Sequence, residues 1–525
     1  MADYSLADYH ERSKHRLNRY APGPGGLDWA NQPDPFRSYT GAAAVELPFA
    51  ADELAVRYAD VRAGRLPAAQ PLELATIGTL FELALAVSAW KAFGDTSWAL
   101  RCNPSSGNLH PTEGYLVAGE LPGIGAGVYH YSSREHLLER RGEWERDRVP
   151  AFEGVFVGLS SVHWREAWKY GMRAFRYCQH DCGHAVAAIA YAAACLGWRS
   201  RLLDYAADDD VAALLGLDRD GDFGSAEREA PECLMWLCAD GRDAPALPST
   251  PSRWHGKANR LSVKHVDWPD IDAVHGLTRK PRTGPEPAPA SHPPPPLALP
   301  GPDASAARLI RARRSAVAFD GATAITAEAF FAMLAATLPR ASAPPWSAWP
   351  WPPLVHPALL VHRVEGLAPG LYVLVREPQA LASLRGAMRA DWLWQKTGPE
   401  ALPLYLLLPH DLRGPAQTVC CHQEIAADSC FALGMLANYG IAAAEPWRYR
   451  ALHWECGMLG QVLYLEAEAA GIRGTGIGCF FDDEMHGALG IRDSEWQTLY
   501  HFTSGGAVDD ARLTTLPAYP SARSR

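Results

Sequence analysis

No stretch of this 525-residue chain stays apolar for the ~18 residues that a membrane helix needs. The amino terminus, Met-Ala-Asp-Tyr-Ser-Leu-Ala-Asp-Tyr-His, lacks the charged-then-apolar order of a secretory signal. Together these features predict a cytoplasmic protein without membrane contact. Positive charge is also in short supply: 49 Lys and Arg stand against 59 Asp and Glu, a net charge of −10. That excludes broad binding to a nucleic-acid backbone and leaves room for one local anion site. Cysteine is sparse and odd in number, eleven in all, which excludes a disulfide framework. Cys178 and Cys182, and likewise His180 and His184, share helix faces in pairs. The two pairs point in different directions and no CxxC pair completes a metal site, so the segment reads as a buried small-residue helix with free thiols.

What is present is length, and a break in the middle. A chain this long exceeds one compact core. Residues 278–303 contain Pro-Glu-Pro-Ala-Pro-Ala-Ser-His-Pro-Pro-Pro-Pro, a composition that favours extended polyproline and blocks helix and sheet. The expected organisation is an N-terminal domain over 1–245, a linker over 246–303 and a C-terminal domain over 304–525.

The two large parts resemble each other. Sliding residues 175–217 onto 449–491, an ungapped offset of 274, makes ten of 43 positions identical; composition alone would give roughly three. Arg176 falls on Arg450, Asp181-Cys182-Gly183 on Glu455-Cys456-Gly457, and Asp208-Asp209 on Asp482-Asp483. His110-Pro111 is echoed by His356-Pro357, and Gly127-Val128-Tyr129 by Gly370-Leu371-Tyr372. This predicts an internal duplication of one fold. Leu72–Phe93, Gly183–Gly197 and Glu328–Leu338 read as helices. Segments beginning at Tyr115, Leu234, Leu359 and Leu404 read as short strands, so the class is α+β.

The segment richest in chemistry is Arg101-Cys-Asn-Pro104-Ser105-Ser106-Gly107-Asn108-Leu-His110-Pro111-Thr-Glu113. Two prolines stiffen it, while the serines and Gly107 let a flat ligand approach the backbone. In the second part, Arg313-Arg314-Ser315 offers guanidinium forks that match phosphate oxygens, and Gly474-Thr475-Gly476 leaves the backbone unobstructed. The glycine run is not a dinucleotide fingerprint, because its spacing is wrong.

These motifs resemble the nitroreductase superfamily, closest to its SagB/ThcOx branch of azoline dehydrogenases. The resemblance implies two tandem nitroreductase-like domains that form an intramolecular pseudo-dimer. It implies FMN as cofactor, bound by Arg101, Pro104, Ser105, Ser106, Gly107 and Asn108 of the first domain. From the second it implies Arg313, Arg314, Ser315, Gly474, Thr475, Gly476 and Arg512. The second half's counterpart of the loop is rigid and aromatic, Pro344-Pro-Trp-Ser-Ala-Trp-Pro-Trp-Pro-Pro, and Ser200-Arg201-Leu202 stands where the glycines would be. One FMN per chain is therefore expected. The dipeptide Lys169-Tyr170 resembles the catalytic pair of the azoline dehydrogenases, in which a proton leaves carbon while hydride passes to the flavin. The implied substrate is a peptide or small heterocycle, with other biosynthetic enzymes as partners. Two further readings stay open: an NAD(P)H-dependent reductase of nitro, quinone or enamide groups, and a flavin-free scaffold subunit. The electron acceptor and the oligomeric state are not encoded in any motif.

Overall fold

The computed structural model describes residues 4–284, residue 297 and residues 304–519. The proline run 285–296 lies outside the described residues. Two antiparallel sheets dominate. In the first, the order is Arg253–Trp254, Leu137–Glu143, Gly127–Ser132, Thr112–Ala118, Val155–Ser161, Ala230–Cys238, Arg199–Leu202. In the second it is Gln395–Lys396, Leu404–Pro409, Gly370–Leu374, Val355–Val361, Phe431–Asn438, Trp496–Gly505, Arg473–Ile477. Apart from the first-named edge strand, the chain meets the strands of both sheets in the same zigzag, and the opposite edge, Arg199–Leu202 or Arg473–Ile477, is the short strand that follows the long helix.

That long helix is Ala174–Cys195 in one half and Arg448–Ala469 in the other. Both are buried over almost their whole length, so the polar residues they carry, such as Arg176, Asp181, Arg450 and Glu455, are buried with them and need partners. They cross at glycine. A Cβ on Gly183 would stand 2.1 Å from the Trp454 carbonyl oxygen, and one on Gly457 would stand 2.1 Å from that of His180. The offset of 274 relates 183 to 457 and 180 to 454, so one contact is the other with the halves exchanged. Buried ion pairs repeat the exchange. Arg176 Nη2 donates to Asp482 at 2.8 Å, and Arg450 pairs with Asp208. Each aspartate opens a short helix, Asp208–Leu215 or Asp482–Leu489, where the helix dipole favours an anion.

Three features differ from the sequence reading. The helix expected over Leu72–Phe93 spans only Leu74–Ala84. Val87–Phe93 is a strand that turns at Gly94 (φ 55°) and pairs with Thr96–Arg101; the alternation Val-Ser-Ala-Trp-Lys-Ala-Phe outweighs the helical spacing before it. Thr514–Leu516, near the far end of the chain, pairs with that same strand, so the second half reaches across to the first. The central helix begins at Ala174, nine residues before Gly183, after Gly171 (φ 54°) ends the helix His163–Tyr170. Finally, part of the 246–303 span counted as linker is folded onto the first half. Arg253–Trp254 extends its sheet, Lys257–Ala258 pairs with Tyr39–Thr40, and Pro269–Leu277 is a helix.

Candidate cofactor site

Between the halves lies a cavity of about 390 Å³, within the range of small-molecule sites. One wall is the loop that joins the strand Thr96–Arg101 to Thr112–Ala118, and Arg101, Pro104, Ser105, Ser106, Gly107 and Asn108 all line it. The loop holds an unusual shape: Gly107, Asn108 and His110 have φ of 58°, 60° and 53°. Left-handed backbone at non-glycine residues is unfavourable and persists only where surrounding bonds impose it. Those bonds are present. Ser106 donates from its N–H and Oγ, each at 3.1 Å, to Asp181. Asn108 Nδ2 donates to the Ala99 carbonyl at 2.7 Å, and the His110 N–H to Ser105 Oγ at 2.7 Å.

The facing wall comes from the second half: Arg313, Arg314, Ser315, Thr475 and Gly476 line it. Ser315 is bridged to Gly474 in parallel, and Tyr464 Oη joins the two segments by bonds of 2.9 Å to Ser315 Oγ and the Gly476 N–H. The glycines lie in an edge strand, Arg473–Ile477, not in a loop. Their missing side chains make room for aromatic rings. A Cβ on Gly476 would stand 1.9 Å from Tyr500 Oη, and one on Gly474 2.5 Å from Phe502.

Three guanidiniums meet at this cavity. Arg313 donates to the carbonyls of Arg101 (2.9 Å) and Cys102 (3.3 Å), which ties the second half to the loop of the first. Arg101 donates to the Thr112 and Pro35 carbonyls, while its Nε is buried without a partner. Arg314 donates to Ser88 and to the carbonyls of Arg311 and Arg313. Among the described residues none of the three forms an ion pair. Burial pushes Arg101 and Arg314 below the ordinary arginine value. Glu468, which accepts the Arg314 N–H at 2.9 Å, and Glu113 offset part of their charge without a salt bridge, and an anionic group fits the cavity electrostatically.

The remaining expected residues are placed differently. Tyr170 lines the cavity, and Lys169 stands behind it with its ammonium 5.3 Å from the Tyr170 ring centroid. Both side-chain ends abut Gly107, where a Cβ would lie 2.3 Å from Tyr170 Oη and 3.1 Å from Lys169 Nζ. Burial, then the charge of Glu166, pushes the Tyr170 phenol well up, so this hydroxyl is a proton donor at neutral pH. Arg512 does not reach the cavity: it is exposed and salt-bridged to Asp510 at 2.7 Å. Glu113 also turns away, into a buried network with Arg165 and His130.

Asp181 is the functional candidate that sequence reasoning passed over. It lines the cavity, is fully buried, and burial raises its carboxyl to about 7 against the opposing bonds from Ser105 and Ser106. A signal existed, since an acid recurs at the equivalent Glu455. There the loop N–H of Leu354 donates to the carboxylate at 2.9 Å, as Ser106 does to Asp181. In that second location Trp346, Trp349 and Trp351 are buried, and Trp346–Ala348 packs against the strand Arg199–Leu202. Side chains fill what the first location leaves open. Among the described residues no group of three His, Cys, Asp or Glu side chains is disposed to hold a metal, and no helix is long and apolar enough to cross a membrane.

No family model matches the chain. A crystal structure of a provisionally named nitroreductase from Anabaena variabilis superposes with a TM-score of 0.69 at 22% identity, covering 96% of this chain and 99% of that one. The chain therefore has a mixed helix-and-sheet, nitroreductase-like fold. A trifolitoxin-processing protein, TfxB, of Rhizobium leguminosarum bv. trifolii is 36% identical over 110 residues, which is 18% of this chain and 29% of that protein. The match thus spans less than a third of the length of that curated relative. Part of the Escherichia coli microcin synthetase complex overlaps with a TM-score of 0.27 at 17% identity, covering 46% of this chain and 84% of that one, too partial to carry weight.

Proposed function

We propose that the chain is an FMN-dependent oxidoreductase of SagB/ThcOx type, built from two nitroreductase-like domains that pair within one polypeptide. The observation that carries this reading is the cavity where three unpaired-by-carboxylate arginines, a stiff polar loop and a glycine strand converge from opposite halves. The exchanged glycine and arginine–aspartate contacts support the pairing of two copies of one fold. Arg313, Arg314 and Arg101 would hold the phosphate and its linker; Thr475, Gly476 and the loop from Pro104 to Asn108 would face the ring. Arg512 is left out of the grip, since Asp510 already holds it. FMN bound there supplies a two-electron hydride acceptor.

The chain's own groups handle the proton. An azoline that becomes an azole loses a proton from carbon together with a hydride. Asp181, buried and titrating near neutrality, suits the acceptor of that proton. Tyr170, kept as a neutral phenol, suits a hydrogen-bond donor to the substrate, and Lys169 orients it from behind. The likeness to a trifolitoxin-processing protein favours a peptide as substrate.

The purified chain is expected to bind one equivalent of FMN, with Lys169→Ala and Tyr170→Phe retaining the flavin spectrum and losing turnover of azoline peptides. Two equivalents per chain would overturn the single composite site. Full turnover in both variants would remove the pair from the mechanism, and rapid bleaching of bound flavin by NAD(P)H would redirect the reading to a reductase. Gly476→Val serves as the control: its side chain meets Tyr500 Oη, and the variant is expected to purify without flavin.

A further inference from the structure

Eleven cysteines are free, and only Cys421 and Cys479 are not buried. They meet. Cys479 follows the glycine strand and lines the cavity. Cys421 sits in the turn after the helix Arg413–Val419. That turn is stapled to the Cys479 segment: Gln423 Nε2 donates to the carbonyls of Cys420 at 2.8 Å and Cys479 at 2.9 Å, and the Phe481 N–H donates to Val419 at 2.8 Å. Cys421 and His422 are both left-handed, with φ of 54° and 60°. Two consecutive non-glycine residues in this region are strained, and such strain collects at reactive sites.

The side chains explain what the strain achieves. The Cys421 thiol and the His15 imidazole both act on the Cys479 sulfur at short range. His15 is itself fixed by the Ala21 N–H, 2.9 Å from Nδ1, and by a parallel bridge to Phe481. The interaction with Cys421, then that with the His15 imidazole and the charge of Arg173, hold the Cys479 thiol down to about 5; the same interaction pushes Cys421 up. One sulfur is thus an anion and its neighbour a proton-bearing thiol, the division of labour that thiol–disulfide exchange needs.

We propose that Cys479 and Cys421 are a redox-active pair on the cavity wall that reacts with small-molecule disulfides. The Cys479 thiolate bonds to one sulfur of the incoming disulfide, whose S–S bond breaks and releases a thiolate. That thiolate takes the proton of Cys421. The Cys421 sulfur then attacks Cys479, breaks the mixed disulfide and releases the second thiolate. The two cysteines lose two electrons and the small disulfide gains them. Once joined, they pin the 420–423 turn to the cavity wall. The inference stands whether or not the cavity binds FMN.

The full chain incubated with glutathione disulfide, then alkylated and mapped by mass spectrometry, is expected to carry a Cys421–Cys479 disulfide that dithiothreitol reverses. Cys421→Ser is expected to trap a glutathione adduct on Cys479, and Cys479→Ser to show neither product. Free thiols at both positions in the wild type, or no adduct in Cys421→Ser, would overturn the proposal. Native wild-type protein provides a check independent of the variants. At neutral pH iodoacetamide is expected to label Cys479 roughly tenfold faster than any other cysteine, because thiolate abundance outweighs its weaker nucleophilicity. Equal or slower labelling of Cys479 would overturn it too.

Discussion

Gly457→Ala is expected to cost about 3 kcal/mol of folding stability, read as a lowered urea midpoint. The added methyl would lie 2.1 Å from the His180 carbonyl oxygen, 2.8 Å from the His184 nitrogen and 2.9 Å from the Gly183 Cα. All three are backbone atoms of a buried helix, so no rotamer change relieves the clash and the helices must separate. Separation opens a void between two buried helices, and interiors tolerate voids poorly. Gly183→Ala is expected to cost a similar amount, because its methyl meets Trp454 in the exchanged geometry. The double variant is expected to cost less than the sum, since one separation relieves both clashes. Gly276, where an added Cβ meets nothing within 4 Å, provides the comparison. A Gly457→Ala midpoint equal to the wild type would contradict the close crossing.

Asp181→Asn is expected to remove the alkaline-going rise of turnover and to stabilise the protein above neutrality. Burial raises this carboxyl to about 7, so a base role requires pH above that value, and turnover should climb through pH 7 in the wild type. The variant should lose most turnover and flatten the profile. Stability has the opposite slope. The folded chain holds this proton more tightly than an unfolded aspartate does, so the contribution is complete below the unfolded value and is lost as pH rises through about 7. A difference near three pKa units corresponds to roughly 4 kcal/mol. Asparagine keeps an oxygen for the Ser106 N–H and Oγ without the buried charge. Melting curves at pH 6 and pH 9 test this: a wild type that loses no stability relative to the variant at pH 9 would rule out the raised carboxyl. A variant with an unchanged pH–rate profile would rule out Asp181 as the proton acceptor.

Much of the lining of the candidate site was legible because its residues are locally distinctive. The Pro104–Asn108 loop and Arg313–Ser315 carry unusual composition over a few positions, and both line the cavity. Arg512 misled, because a lone arginine near a chain end carries no sign of its partner, and Asp510 two residues away takes it. The strand Val87–Phe93 was hidden by the helix before it, since its pairing partners include Thr514–Leu516, more than 400 residues downstream. Asp181 escaped notice because one acid in an alanine-rich helix has no motif; its importance comes from burial and from the loop that bonds to it.

By itself the sequence determined the α+β class, the repeated helix–glycine–aspartate pattern, and the two motifs that meet at the cavity. These are short-range properties, written in composition and spacing. Only the tertiary structure decided which half of each motif faces which, that Arg313 binds the opposite loop's carbonyls, and that tryptophans fill the second location. It also decided that Asp181 titrates near neutrality and that Cys421 meets Cys479. Desolvation and contact between residues hundreds of positions apart are properties of packing, and packing exists only once both helices have crossed at Gly183 and Gly457.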